Sequence, residues 1–179
     1  MYASGMGLGG WLDAQLFERR IVTLTGPLDE GAASRAAAAL TALDAGSAEA
    51  IELHLDSPDG ALGAAFLMID TVGLLRAPLR VRCRGQVGGP AIGILAAAER
   101  RMAGAHARFR LAQPTERFTG TPAELEARNR EQQQQLWRLC ALVGRRCHRP
   151  AEEVAEDMRR GRYLDAGEAL AYGLLDEVV

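Results

Sequence analysis

Residues 51–55 read Ile-Glu-Leu-His-Leu, a strict alternation of apolar and polar side chains, and no other stretch constrains the fold as tightly. A period of two belongs to a β-strand, so Ile51, Leu53 and Leu55 require a core on one face. The alternation breaks at Asp56-Ser57-Pro58-Asp59-Gly60, which reads as a loop. Residues 61–75 then change period: Leu62, Phe66, Met68, Ile69, Val72 and Leu75 recur at helical spacing, as on a helix facing a sheet. Residues 79–83 return as a strand. Strand, helix and strand in this order imply a right-handed β-α-β crossover and a largely parallel sheet, hence an α/β fold.

The rest of the chain extends the pattern. Residues 1–10 are Gly-rich without periodicity and read as a flexible lead-in, with the folded domain expected over 11–179. Ile21 to Leu24 is a strand closed by the turn Thr25-Gly26-Pro27, and an Ala-rich helix follows from Asp29 to Leu43. Gly85-Gln86-Val87-Gly88-Gly89-Pro90 leads into an apolar helix over 91–98, and short strands are expected at 101–103 and 108–111. Thr121 caps a long helix from Pro122 to about Val143, with proline where its missing N–H costs nothing. Helices over 150–159 and 165–172 precede a last strand near Glu177, and Asp165 with Glu168 resembles a capping box.

Charge and composition exclude several classes. A formal charge of -2 supplies no general pull toward nucleic acid, and the pair Arg100-Arg101 reads as a solvated edge. No run approaches the length of a membrane span, because the apolar stretch 91–98 stops at Glu99. No secretory signal is expected, and three cysteines without metal-ligand spacing suit a reducing cytoplasm. Neither a metal nor a cofactor is expected.

Three segments together resemble the ClpP peptidases: residues 17–28 (FERRIVTLTGPL), Asp56-Ser-Pro-Asp-Gly60 with its following helix, and residues 162–176 (RYLDAGEALAYGLLD). The resemblance runs from about Leu16 to Val179. It implies a crotonase-like superhelical β-α-β fold in one domain with a protruding handle helix. It further implies heptameric rings stacked in pairs that hydrolyse polypeptides delivered by an ATPase. The family's serine position falls on Gly89, its histidine on Ala112 and its aspartate on Gly161. The two backbone donors of its oxyanion hole fall on Gly60 and on Pro90, which has no N–H. Acyl transfer needs a nucleophile, a base and a group to orient that base, so the resemblance implies a peptidase shape without its chemistry.

Asp59, Gln86, Gln113, Glu116 and Arg117 are expected to line the old active-site hollow, with Asp59 placing a carboxylate near the former oxyanion position. They leave open a repurposed crotonase-type enzyme, a thioester lyase or hydratase, beside a non-catalytic scaffold. Cys83, Cys140 and Cys147 read as packing thiols, and His54, Asp56 and Ser57 lie too close in sequence to align as a triad. The helix from Pro122 corresponds to the handle. Its polar first half leaves either an exposed helix or a wet ring-to-ring contact open. The lead-in is shorter than the family's axial hairpin, which leaves a Clp ATPase an open question as partner. The expected function is an inactive ring subunit that assembles with itself or with an active paralogue and adjusts it.

Overall fold

The computed structural model describes residues 8–115 and 119–179. Helix α1 (Leu8–Glu18) precedes β1 (Ile21–Thr25), α2 (Glu30–Gly46), β2 (Ile51–Ser57), α3 (Leu62–Leu74) and β3 (Leu79–Gly88). A 3₁₀ turn (Gly89–Ala91) then leads into α4 (Ile92–Ala97), β4 (Arg100–Ala103), β5 (Arg108–Leu111) and the long α5 (Pro122–Cys147). The chain closes with α6 (Ala151–Arg160), β6 (Arg162–Asp165), α7 (Ala166–Tyr172) and β7 (Glu177–Val178).

The sheet order is β1-β2-β3-β4-β7, all parallel, as the alternation of strands and helices requires. β3 serves two neighbours. Its first half pairs with β4 and its second half, Gln86 to Gly88, pairs with β5, which carries the antiparallel β6. The change of partner follows Gly85, at φ +69°, where the register against β2 also shifts. The sequence reading ends this strand at Cys83 and has neither α1 nor β6. Helix α1 starts inside the segment read as lead-in.

Alternation sets the core. Ile51, Leu53 and Leu55 are fully buried while Glu52 and His54 are half-buried. Helix α2 presents Ala33, Ala36, Ala37, Leu40 and Leu43, and α3 presents Leu62, Ala64, Ala65 and Met68, so small residues let these two helices lie close to each other and α2 close to β1. Asp29 caps α2 by accepting from Ala32 N, and Thr121 and Glu124 form a capping box on α5.

Arg101 corrects one expectation. It is buried, at 5% exposure, and ties β4 to the chain end: its Nη2 lies 2.5 Å from Asp176 Oδ1 and its Nη1 donates to Gly173 O at 2.6 Å. Only Arg100 is a solvated edge residue, paired with Glu177. Among the described residues, no helix is long and apolar enough to cross a membrane.

Candidate functional site

Two turns converge at the carboxyl ends of β2 and β3. The turn after β2 is stapled to the segment after β1: Leu28 N donates to Asp59 O and Ala61 N donates to Leu28 O, both at 2.9 Å. Gly60 thereby pairs with Leu28 so closely that a Cβ on it would lie 2.5 Å from Leu28 Cβ. Ser57, fully buried, also donates its hydroxyl to Asp59 O at 3.2 Å. With its carbonyl held twice, Asp59 has a fixed backbone, and its side chain turns back onto the next residue: Gly60 N donates to Asp59 Oδ1 at 2.8 Å.

The turn after β3 approaches from the other side. Gly88 packs on the Pro58 carbonyl with no room for a side chain, and Gly89 adopts φ +54°, a left-handed conformation that favours glycine. A Cβ on Gly89 would lie 2.5 Å from Asp59 Oδ1. One carboxylate oxygen thus caps the Gly60 N–H and fills the space a side chain at position 89 would enter. Pro90, buried in the 3₁₀ turn, offers no N–H beside it.

The remaining positions lie on β3, on and just after β5, and at the end of α6. Arg110 stands opposite Gly88 in the β3–β5 register. Its Nη2 is 3.9 Å from where a Cβ of Gly161 would be, its guanidinium lies 5.5 Å from the Tyr163 ring centroid, and its Nε is buried without a hydrogen-bond partner. Gly161 is the left-handed C-cap of α6 at φ +69°. Ala112 is buried, and the exposed Gln113 is tied through its backbone N–H to Met158 O. Gln86 is half-buried, with its N–H donating to Asp56 Oδ1 at 2.9 Å. Glu116 and Arg117 lie outside the described residues. The structure therefore joins Asp59, Gly60, Gly89 and Pro90 in one turn cluster, with Arg110 between that cluster and Gly161. Arg110 is the residue that sequence reasoning missed, and only its place two residues before Ala112 signalled it.

The thiols and histidines have other engagements. Burial pushes the Cys83 thiol up to about 12, and burial likewise carries Cys140 and Cys147 up to about 11. His54 Nε2 meets Glu52 Oε1 at 2.5 Å, Asp56 holds Gln86 N and Ser57 holds Asp59 O, so these three face different partners. His106 and His148 are exposed. Among the described residues, no group of three or more His, Cys, Asp and Glu is placed to hold a metal ion. A cleft of about 300 Å³ between α1, β1 and α2 and another of about 510 Å³ across β2 and β3 both leave out residues 59, 89 and 112.

A family model described as Clp protease matches residues 11–179. This range holds both turns, the forked β3 and everything from α2 to β7. By that match the chain belongs to the Clp protease family.

Proposed function

We propose that this chain is a catalytically silent Clp-protease-type subunit. It has the family's crotonase-like superhelical fold in one domain over residues 11–179, with α5 as the handle. It assembles into a heptameric ring or a stacked pair of rings, alone or with an active paralogue that it adjusts. The carrying observation is the Asp59 carboxylate, which accepts from Gly60 N at 2.8 Å and sits in the side-chain space of Gly89. A developing oxyanion needs unoccupied donors in a dry, preorganised site. Here one donor of the implied pair is capped by an anion and the other position is proline. No nucleophilic atom stands at Gly89 and no base at Ala112.

The same cap weighs against a thioester lyase or hydratase, which also requires paired donors for an enolate. The purified chain is expected to release no fluorophore from a fluorogenic peptide. Turnover abolished by alanine substitution of any residue in this chain would sink the reading. Light scattering of the chain, alone and mixed with an active ClpP, tests assembly, and a monomer in both cases would end the ring-subunit reading.

A further inference from the structure

The cleft between α1, β1 and α2 is separate from the turns just described, and its floor is a free edge of the sheet. β1 stands first in the strand order and pairs only with β2. Arg20 O accepts from Glu52 N at 3.0 Å and Gly26 N donates to Asp56 O at 2.9 Å, so the even-numbered residues here point their backbone groups at β2. Alternation then turns the N–H and C=O groups of Ile21, Thr23 and Thr25 outward. Among the described residues, nothing bonds to these outward groups.

Two walls keep this edge open. α1 packs chiefly on β1 and turns Asp13, Leu16 and Phe17 inward at the spacing of one helical turn. α2 contributes three alanines and Arg35, and the small side chains leave a cleft of about 300 Å³. Asp13 and Arg35 are exposed on opposite walls, and among the described residues neither forms an ion pair. The charges around them are engaged or outside the lining. Asp29, which shares the surroundings of Gly31 with Arg35, caps α2 through Ala32 N, and Glu18 accepts from Gln15. Arg20 donates to the carbonyls of Leu43, Ser47, Glu49 and Ala50. Arg19 and Glu30 are exposed but do not line the cleft.

We propose that this cleft takes an extended peptide segment of a partner protein as an added strand on β1. Main-chain bonds to the outward groups of Ile21, Thr23 and Thr25 supply the attachment, as in strand addition to a free sheet edge. The walls supply the choice of sequence. Neighbouring side chains of an extended segment point to opposite sides, so an adjacent basic and acidic pair brings one charge to Asp13 and the other to Arg35. A second copy of this chain fits less well. Two β1 strands joined edge to edge about a two-fold axis set α1 beside α1 and α2 beside α2, so Asp13 would approach Asp13 and Arg35 would approach Arg35. The inference is independent of the silent-subunit reading, because none of residues 59, 60, 89 and 90 lines the cleft.

The test titrates the full chain at low salt with N-acetyl-Val-Thr-Lys-Glu-Thr-Val-amide, followed by calorimetry and by amide hydrogen exchange. Two control peptides carry Gln-Gln in place of Lys-Glu, or N-methyl groups on the four central residues. The Lys-Glu peptide is expected to bind saturably and to slow exchange at Ile21, Thr23 and Thr25, while Val22 and Leu24, already bonded to β2, change little. The Gln-Gln peptide should bind about fivefold or more weakly, and the N-methylated one not at all. Arg35→Gln and Asp13→Asn should each weaken binding about fivefold. Thr23→Pro, tolerated on an edge strand whose N–H faces outward, should abolish it. Arg130→Gln on α5 should leave it unchanged. Circular dichroism of each variant separates lost binding from lost folding, and Arg35→Gln and Asp13→Asn carry the comparison if Thr23→Pro does not fold. Equal binding of either control peptide, undiminished binding in the folded charge variants, or no binding at millimolar peptide would overturn the proposal. So would slow exchange at Thr23 in the peptide-free chain that quickens on dilution, since a second copy would then already cover this edge.

Discussion

At position 89 a side chain faces two separate obstacles. The backbone stands at φ +54°, which residues with a Cβ seldom adopt, and Asp59 Oδ1 lies 2.5 Å from where that Cβ would be. On the proposed reading, a serine placed here therefore does not make a working site. Gly89→Ser is expected to lower stability by about 1–3 kcal/mol, read as a lower urea midpoint at unchanged slope. Asp59→Gly in the same chain removes the second obstacle and leaves the first, so the double variant should be more stable than the two single effects added together. Simple additivity would place the carboxylate elsewhere. The thiols make a second residue-scale test. With Cys83 held near 12 and the other two near 11 by burial, the thiolate fraction at pH 8 is negligible in the folded chain. Native protein should leave a disulfide reagent such as DTNB almost unreacted, and denaturant should expose all three cysteines. Fast native reaction of Cys83 would reopen it as a nucleophile.

Between elements, Arg101 joins β4 to the chain end more firmly than the short β7 can by its ladder. The Asp176 carboxyl is raised by burial but pulled further down by hydrogen bonds from the Arg101 side chain and backbone N–H, so it ends below its usual value. A carboxyl depressed in the folded state contributes stability above its unfolded value, and that contribution is lost as pH falls through the folded one. The loss thus belongs below about pH 4, and Asp176→Asn should flatten that part of an acid unfolding curve. Arg101→Ala should cost about 2–3 kcal/mol, less than for a fully buried pair because 36% of the Asp176 side chain stays exposed. An unchanged melting temperature would make the link incidental. Elements with a strong local signal were legible from sequence: the alternation of β2, the Ala-rich face of α2, the caps at Thr121 and Asp165. Helix α1 was not, because LGGWLDAQLFE has paired glycines and no clean apolar stripe. β6 was not, because it buries only Leu164 of four residues and owes its form to pairing with β5. Arg101 misled for a related reason, since its partner Asp176 is 75 residues away and no local pattern announces it. At the candidate site, the residue types at 59, 60, 89 and 90 were readable by resemblance. The turn of Asp59 onto Gly60 depends on the staple to Leu28, a contact between segments that spacing does not encode.

Large apolar side chains remain on the outside of the whole molecule: Trp11, Leu12 and Phe17 on α1, Leu67 and Leu74 on α3, Trp137 on α5. Single exposed leucines are ordinary on any surface. Leu67 and Leu74 are different, because seven residues place them two turns apart on one face of α3, and Leu74 is 83% exposed. On the proposed ring reading that face is a candidate lateral contact, since a ring requires each subunit to present one surface to a different surface of the next. Replacing both leucines by glutamate touches nothing in the buried half of α3, formed by Leu62, Ala64, Ala65 and Met68. The double variant should therefore keep its circular dichroism and melting temperature while its light-scattering mass falls from that of a ring to that of a protomer. Retained assembly would move the lateral contact off α3. A parallel loss of helix signal would mean that these leucines serve the fold, and a substitution confined to Leu74, the more exposed of the two, would then decide whether α3 takes any part in assembly.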